Sequence, residues 1–252
     1  MSRAFPGPAV VTGAGQGIGR AFARALAAEG VPVAVADVNL ANADRVCAEL
    51  IDAGGRALSV QVNVADPGSV DAMARAVEER LGPPRILVNN AAIFSTLSMR
   101  PFTEIPLDEW NQVLAVNITG AFLCARALVP GMAAAGSGKI VNISSSTVML
   151  GRPNYLHYVT SKAAMIGFTR ALASEAGHHG ITVNAIAPGS TETEIERKTI
   201  TRADRERLAA SSALRRVQVP SDLIGALLFL TSSDSDFMTG QTLVVDGGIS
   251  FI

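Results

Sequence analysis

The segment ProAlaValValThrGlyAlaGlyGlnGlyIleGly, residues 8–19, runs from an apolar, β-branched stretch into a glycine cluster and then into a helical pattern. The helical pattern carries Phe22, Ala25, Leu26 and Glu29 before Gly30 stops it. A strand, a turn without Cβ atoms and a helix follow one another within about twenty residues. Six further β-branched runs repeat this beginning, at 31–37, 57–64, 85–90, 139–144, 181–187 and 242–246. Most are apolar throughout rather than alternating, as strands covered on both faces are. Helical patterns separate them, and the one starting at Asp66-Pro67 opens with a cap residue followed by proline and runs to Leu81. The alternation predicts a doubly wound α/β fold: a parallel seven-stranded sheet in one domain spanning residues 1–252.

Composition narrows the function classes. The chain has 252 residues, 48% hydrophobic and 17% charged, which is sparse for a monomer's surface and points to self-association. A net charge of −1 without a basic run gives nucleic acid and acidic membranes no electrostatic support as partners. No signal pattern opens the chain and no apolar run reaches about 18 residues, so a soluble cytoplasmic protein is expected. Cys47 and Cys124 each fall in an apolar helical pattern and read as buried free thiols. With three histidines, two of them adjacent, no metal site is expected. Residues 112–129 and 158–173 are apolar all round, whereas a sheet covers one side of a helix. A second subunit is expected over the other side.

The glycine cluster departs from Gly-x-Gly-x-x-Gly, because Ile18 takes the third glycine position counted from Gly13. It fits Gly-x-x-x-Gly-x-Gly with Gly13, Gly17 and Gly19, and the physical need is the same: helix N–H groups free to face a pyrophosphate. Asp37 ends the second strand, eighteen residues past Gly19, where a carboxylate accepts from an adenosine ribose and repels a 2′-phosphate. No Lys or Arg stands at Gln16, Val38 or Asn39 to attract that phosphate. NAD is expected over NADP.

Tyr158 and Lys162 lie four residues apart, one turn of helix on one face. A phenol with an ordinary pKa of about 10 is a poor base at neutral pH. A neighbouring ammonium favours the phenolate, which suits Tyr158 to pass a proton to or from a substrate oxygen.

Together with Asn89-Asn90-Ala91, Asn117, Ser145, Pro188-Gly189 and the closing Gly240-Gln241 and Val245-Asp246-Gly247-Gly248, these motifs resemble the classical short-chain dehydrogenase/reductase family over essentially the whole chain. The resemblance implies a Rossmann fold and a homotetramer. Residues 166–175 with 181–188 look more narrowly like bacterial 1-phenylethanol dehydrogenases and pyridoxal dehydrogenases. The family's roles carry over by position. Tyr158 is the expected acid/base, and Lys162 the residue that lowers its pKa and holds the nicotinamide ribose. Ser145 is expected to bind the substrate oxygen, selected over Ser144 and Ser146 only by family spacing. Asn117 would hold a water relaying protons to Lys162. Beside Gly13, Gln16, Gly17, Ile18, Gly19 and Asp37, the cofactor is expected to meet Asn63 by its side-chain amide, Val64, Asn90 by its backbone, Pro188, Gly189, Thr191 and Thr193. Asn63 replaces the family's usual Asp, and Ala92 stands where glycine is usual. The polar segment from about 190 to 212 would be a mobile lid.

The expected substrate wall comprises Phe94, Thr147, Leu150 and Tyr155 beside Ser145 and Tyr158, with Val148, Met149, Leu156, Ile195 and Leu208 as further candidates. His157 would point elsewhere. Without an arginine cluster among the apolar candidates, the expected substrate is an uncharged, apolar or aromatic secondary alcohol or ketone, and the reaction a hydride transfer to or from NAD. Two alternatives are a 3-oxoacyl-carrier-protein reductase and a dinucleotide-sensing protein without chemistry. Scarce basic residues near Gln16 count against the first, and the presence of Ser145, Tyr158 and Lys162 against the second.

Overall fold

All seven β-branched runs form strands: β1 (Ala9–Thr12), β2 (Val33–Asp37), β3 (Ala57–Gln61), β4 (Ile86–Asn89), β5 (Gly138–Ile143), β6 (Ile181–Pro188) and β7 (Thr242–Val245). They belong to a computed structural model that describes residues 3–196 and 201–251. The strands pair in parallel in the order β3-β2-β1-β4-β5-β6-β7. Successive side chains point to opposite faces, so Ala9 and Val11 enter one core and Val10 the other. The first core receives Phe22 and Leu26 of α1 (Gly17–Ala28), Val46 and Leu50 of α2 (Leu40–Asp52) and Leu223 and Leu227 of α9 (Ser221–Thr231). The second receives Met73 and Val77 of α3 (Pro67–Leu81), together with α5 (Gly120–Ala134) and α7 (Leu156–Ala176). Burial on both faces is the physical cause of the non-alternating apolar runs. Asp66 caps α3 by accepting from Gly68 and Ser69 N–H groups at 2.8 and 3.3 Å, with Pro67 in the first turn.

The chain turns between β1 and β4 are where the strand order reverses, which opens a crevice at the strands' carboxyl ends. Two further elements shape that crevice. Helix α4 (Leu107–Leu114) continues through a π-helical turn, Ala115–Thr119, into α5. The resulting Leu107–Ala134 rod holds an 18-residue window with a mean hydropathy of 1.7, long and apolar enough by composition to cross a membrane. Here it packs as a core helix, inserting Leu123, Leu128 and Met132 beneath the sheet. Helix α8 (Arg202–Ser211) closes the open side and is capped reciprocally by Thr201 and Asp204. The lid expected at 190–212 therefore contains a helix, and its residues 197–200 lie outside the described ones.

The all-round apolar helices keep uncovered faces. Phe122 on α5 is 47% exposed with Arg126 over its ring, and Ala163, Ala164, Gly167 and Ala171 line an exposed stripe of α7. Phe168, by contrast, packs into its own chain's second core. Cys47 and Cys124 are buried free thiols, and burial pushes the Cys124 thiol up to about 12.

Candidate active site

Helix α6 (Thr147–Leu150) follows β5, and the turn after it, with Gly151 at φ 56°, returns the chain to the start of α7. This brings Ser145 at the end of β5 beside Tyr158 and Lys162 on the first turns of α7. All three are at least nine-tenths buried, yet all line one cavity of about 1160 Å³. Its volume exceeds the roughly 300–1,000 Å³ of a pocket for one drug-sized molecule. Lys162 Nζ donates to the Ile143 carbonyl at 2.8 Å and lies 5.7 Å from the Tyr158 ring centroid. Burial holds the Lys162 ammonium below its ordinary value, at about 8.

The three serines all line the cavity and differ in their partners. Ser144 Oγ donates to the Lys162 carbonyl at 2.7 Å and so ties β5 to α7. Ser146 gives its N–H to the Pro188 carbonyl at 2.9 Å. Ser145 Oγ accepts from Thr147 Oγ1 at 2.9 Å and Thr147 N at 3.3 Å, which leaves its own proton to donate into the cavity.

From this centre the cavity runs along the strand ends to Asp37, past Gly13, Gln16, Ile18, Gly19, Asn63, Val64, Asn90, Pro188, Gly189, Thr191 and Thr193. Gly17, at φ 59°, starts α1 in a backbone conformation that side chains disfavour. A Cβ on Gly19 would lie 2.2 Å from the Gly13 carbonyl oxygen, so the loop can close only as glycine. The result is a helix N-terminus facing a long cleft with a carboxylate at the far end, which fits a dinucleotide in an extended pose. Gln16, Ile18 and Gly19 line the cleft at the helix N-terminus, Asp37 its far end and Tyr158 with Lys162 the other end, whereas Gly17, expected among the cofactor residues, is outside the lining and gives its N–H to Glu194 Oε1 at 3.0 Å.

A family model described as enoyl-(acyl carrier protein) reductase matches residues 13–250. The chain belongs to the classical short-chain dehydrogenase/reductase family. It is 39% identical over 244 residues to a 3-oxoacyl-[acyl-carrier-protein] reductase of Synechocystis sp., covering 96% of each chain. It is 37% identical to the 5-keto-D-gluconate 5-reductase of Escherichia coli, over 95% of this chain and 94% of that one. A gluconate 5-dehydrogenase from Burkholderia cenocepacia, in complex with NADP and tartrate, superposes with a TM-score of 0.91 at 35% identity, over 98% and 96% of the two chains. A 3-oxoacyl-[acyl-carrier protein] reductase with bound NAD from Brucella melitensis does so with a TM-score of 0.90 at 36% identity, over 98% and 92%. The relatives are oxidoreductases, and nicotinamide dinucleotides of both kinds occur among them.

Within this short-chain dehydrogenase/reductase, the expected residues also make contacts that hold the glycine loop and its neighbours together. Asp37, expected as a ribose acceptor, is engaged within the chain: Oδ2 accepts from Gly15 N at 2.8 Å and Oδ1 from Asn39 N at 2.9 Å, so the carboxylate anchors the glycine loop. Arg45 Nη2 reaches the Gly15 carbonyl at 3.2 Å, an arginine that positions 16, 38 and 39 gave no hint of. Asn90 spends its side chain on the Thr12 and Gly13 carbonyls, at 2.9 and 3.0 Å. Asn63 lines the cavity, and its Oδ1 accepts from Ala65 N at 3.1 Å. Ala92 keeps a negative φ, so alanine fits where glycine is usual.

Asn117 does not face the main cavity. Its Oδ1 accepts from Ile93 N at 2.8 Å and its Nδ2 donates to Ser161 Oγ at 2.9 Å, bracing the π-helical turn against α7. It shares with Lys162 and Asn89 a separate void of about 10 Å³, room for about one water molecule.

Tyr155 is a correction. It is 1% exposed, gives its hydroxyl to the Phe94 carbonyl at 3.0 Å, and stands behind the cavity wall rather than in it. A buried phenol needs an acceptor, and the loop carbonyl supplies one. Phe94 does line the cavity, tilted against Tyr158 with ring centroids 4.6 Å apart. One helical turn puts Thr147 and Leu150 on the cavity side of α6, which turns Val148 and Met149 away. Leu156 is likewise outside the lining, while Ile195 and Leu208 belong to it. His157 is fully buried beside Glu109, 3.3 Å from its Oε1. Met99, Gln112, Arg152 and Arg207 also line the cavity. They come from four separate loops or helices, and local pattern carried no signal for them. Among the described residues no group of His, Cys, Asp or Glu is placed to hold a metal ion.

Proposed function

We propose that the protein is an NAD-dependent dehydrogenase or ketoreductase that interconverts a secondary alcohol and its ketone. The observation that carries this reading is the convergence of Ser145, Tyr158 and Lys162 on one wall of a cavity whose other end is the Gly13–Gly19 loop and Asp37. The nicotinamide ring, when bound, supplies or takes the hydride at the substrate's carbinol carbon. Ser145 Oγ, receiving hydrogen bonds from Thr147, directs its own proton to the substrate oxygen and steadies the charge that develops there. Tyr158 Oη gives that oxygen a proton during reduction and takes it back during oxidation. Lys162, held by the Ile143 carbonyl, carries its charge 5.7 Å from the Tyr158 ring centroid, where it favours the phenolate and would hold the nicotinamide ribose.

Phe94, Ile93, Val116 and Leu150 give the reacting carbon an apolar or aromatic surrounding. The expectation of an uncharged substrate rested on the absence of arginine from a few candidate side chains, and Arg152 in the lining removes that ground. NAD is favoured by Asp37 at the adenosine end. A second reading, a 3-oxoacyl-carrier-protein reductase-like enzyme, is supported by the Synechocystis relative. The exposed apolar faces of α5 and α7 support a homotetramer, with further copies of this chain covering them. Absorbance of NADH at fixed enzyme, against a panel of secondary alcohols and of 3-oxoacyl thioesters, tests the proposal. NAD reduction by an alcohol supports the first reading, thioester turnover alone the second, and no turnover with either, alongside intact cofactor binding, a sensing protein.

A further inference from the structure

The charged groups on the cavity wall are nearly all answered within the protein. Asp37 takes two backbone N–H groups. Asp204 and Arg207 pair with each other on α8. Lys162 donates to the Ile143 carbonyl beside Tyr158. Arg152 is the exception. It is half-buried, and among the described residues no carboxylate lies within ion-pair distance of its guanidinium. The acceptor its Nη2 does have is the Met99 sulfur at 3.6 Å, a weak one. A partly desolvated cation with five donors is costly to leave unanswered.

The side chain is nevertheless held in place. Its backbone N–H donates to the Thr147 carbonyl at 3.4 Å, fixing the turn that follows Gly151. Its guanidinium carbon lies 5.9 Å from the centroid of the Tyr155 ring, a cation–π distance. The same Tyr155 ring is 5.1 Å from the Tyr158 ring. One buried aromatic ring therefore separates the guanidinium from the proton-transferring phenol, and both open on the same cavity.

We propose that Arg152 is the anchor for a carboxylate on the substrate, so that the protein acts on short-chain hydroxy or oxo acids. The planar fork of a guanidinium matches a carboxylate by two parallel hydrogen bonds, and a single cation balances one negative charge better than the two of a phosphate. With the acid end on Arg152, the apolar wall of Phe94 and Leu150 covers the carbons between it and the reacting centre at Ser145 and Tyr158. This deepens the oxidoreductase reading and rests on it for the position of the reacting carbon.

The test compares 3-hydroxybutanoate, 4-hydroxypentanoate and 5-hydroxyhexanoate with their amides, for wild type, Arg152→Gln, Arg152→Lys and Arg152→Glu. For at least one chain length, wild type should favour acid over amide by about tenfold or more in kcat/KM, mainly through KM. Arg152→Gln should bring that ratio to about one, Arg152→Lys should restore part of it, and Arg152→Glu should invert it. Equal efficiency with acid and amide in the wild type, or a ratio unmoved in Arg152→Gln, overturns the proposal while leaving the oxidoreductase reading intact. If no alcohol reduces NAD, thermal shift with the matching oxo acids, oxo amides and 4-oxopentyl phosphate decides. Acid binding that is lost in Arg152→Gln upholds the anchor although the reaction reading has failed. No Arg152-dependent acid binding, or tighter binding of the phosphate, overturns it.

Discussion

Replacing Glu194 by alanine should tighten cofactor binding about tenfold. Glu194 Oε1 accepts from Gly17 N at 3.0 Å and lies 3.6 Å from Arg20 Nη1. A carboxylate from the segment after Pro188-Gly189 thus sits at the N-terminus of α1, where the backbone N–H groups and helix dipole would receive a pyrophosphate. Ile195 Cδ1 lies 2.8 Å from where a Cβ on Gly17 would be, so the same segment covers the glycine itself. Burial raises the Glu194 pKa, but the Gly17 N–H and Arg20 lower it by more, leaving it below the ordinary glutamate range and charged at neutral pH. A charge-assisted hydrogen bond and a helix-terminus interaction would come to about 2–4 kcal/mol if fully buried. Glu194 is 48% exposed, so solvent screening reduces this to about 1.5 kcal/mol, or roughly tenfold in Kd. That is the cost a cofactor meets in displacing the carboxylate, and Glu194→Ala removes it. Quenching of protein fluorescence by NADH at pH 7 gives Kd for wild type, Glu194→Gln and Glu194→Ala, with Gln expected between the other two. Unchanged affinity in Glu194→Ala would refute the competition. Weaker affinity would mean that Glu194 moves on binding and holds the segment closed over the cofactor.

Wild-type enzyme should prefer NAD to NADP by roughly a hundredfold in kcat/KM, about 3 kcal/mol for the clash of a 2′-phosphate with Asp37 and the lost ribose hydrogen bond. Asp37→Ala with Val38→Arg should narrow or reverse the preference while weakening both cofactors, because Asp37 also anchors Gly15; equal wild-type values would show that Asp37 does not face the ribose. Tyr158→Phe should retain cofactor binding by fluorescence but lose on the order of a hundredfold or more in turnover; near-normal turnover would place the proton elsewhere. For Lys162, with a folded value of about 8 against 10.5 in the unfolded chain, only the unfolded chain stays protonated between those limits, so stability rises with pH across that window. Lys162→Met should abolish that rise and be more stable at pH 7 by up to about 3 kcal/mol, measured by urea unfolding at pH 7 and 9.5. Gly167→Arg should dissociate the proposed homotetramer without unfolding the chain, since a Cβ at Gly167 meets nothing within 4 Å of its own chain; light scattering that shows an unchanged assembly would place the interface elsewhere, and a wild-type monomer would refute the assembly itself.

The sheet was legible in the sequence because a strand covered on both faces must be apolar throughout, and seven such runs separated by helical patterns admit few other arrangements. The glycine loop and the Tyr158–Lys162 pair were legible for the same kind of reason: each is a local requirement, of backbone freedom at Gly17 and of one helical turn between two side chains. Tertiary structure decided everything that depends on which element packs against which. Family spacing singles out Ser145, but that the Ser144 hydroxyl is spent on the Lys162 carbonyl follows only from β5 lying against α7. Tyr155 reads as a pocket residue from its place in the chain, yet the Phe94 carbonyl, 61 residues away, draws its hydroxyl out of the cavity. Arg152 becomes a lining cation only when the turn after Gly151 folds it over the Tyr155 ring. Glu194 meets Gly17 across 177 residues of sequence. Contacts at such separations are set by the closing of strand order at the β1–β4 crevice, and no local pattern of residues records them.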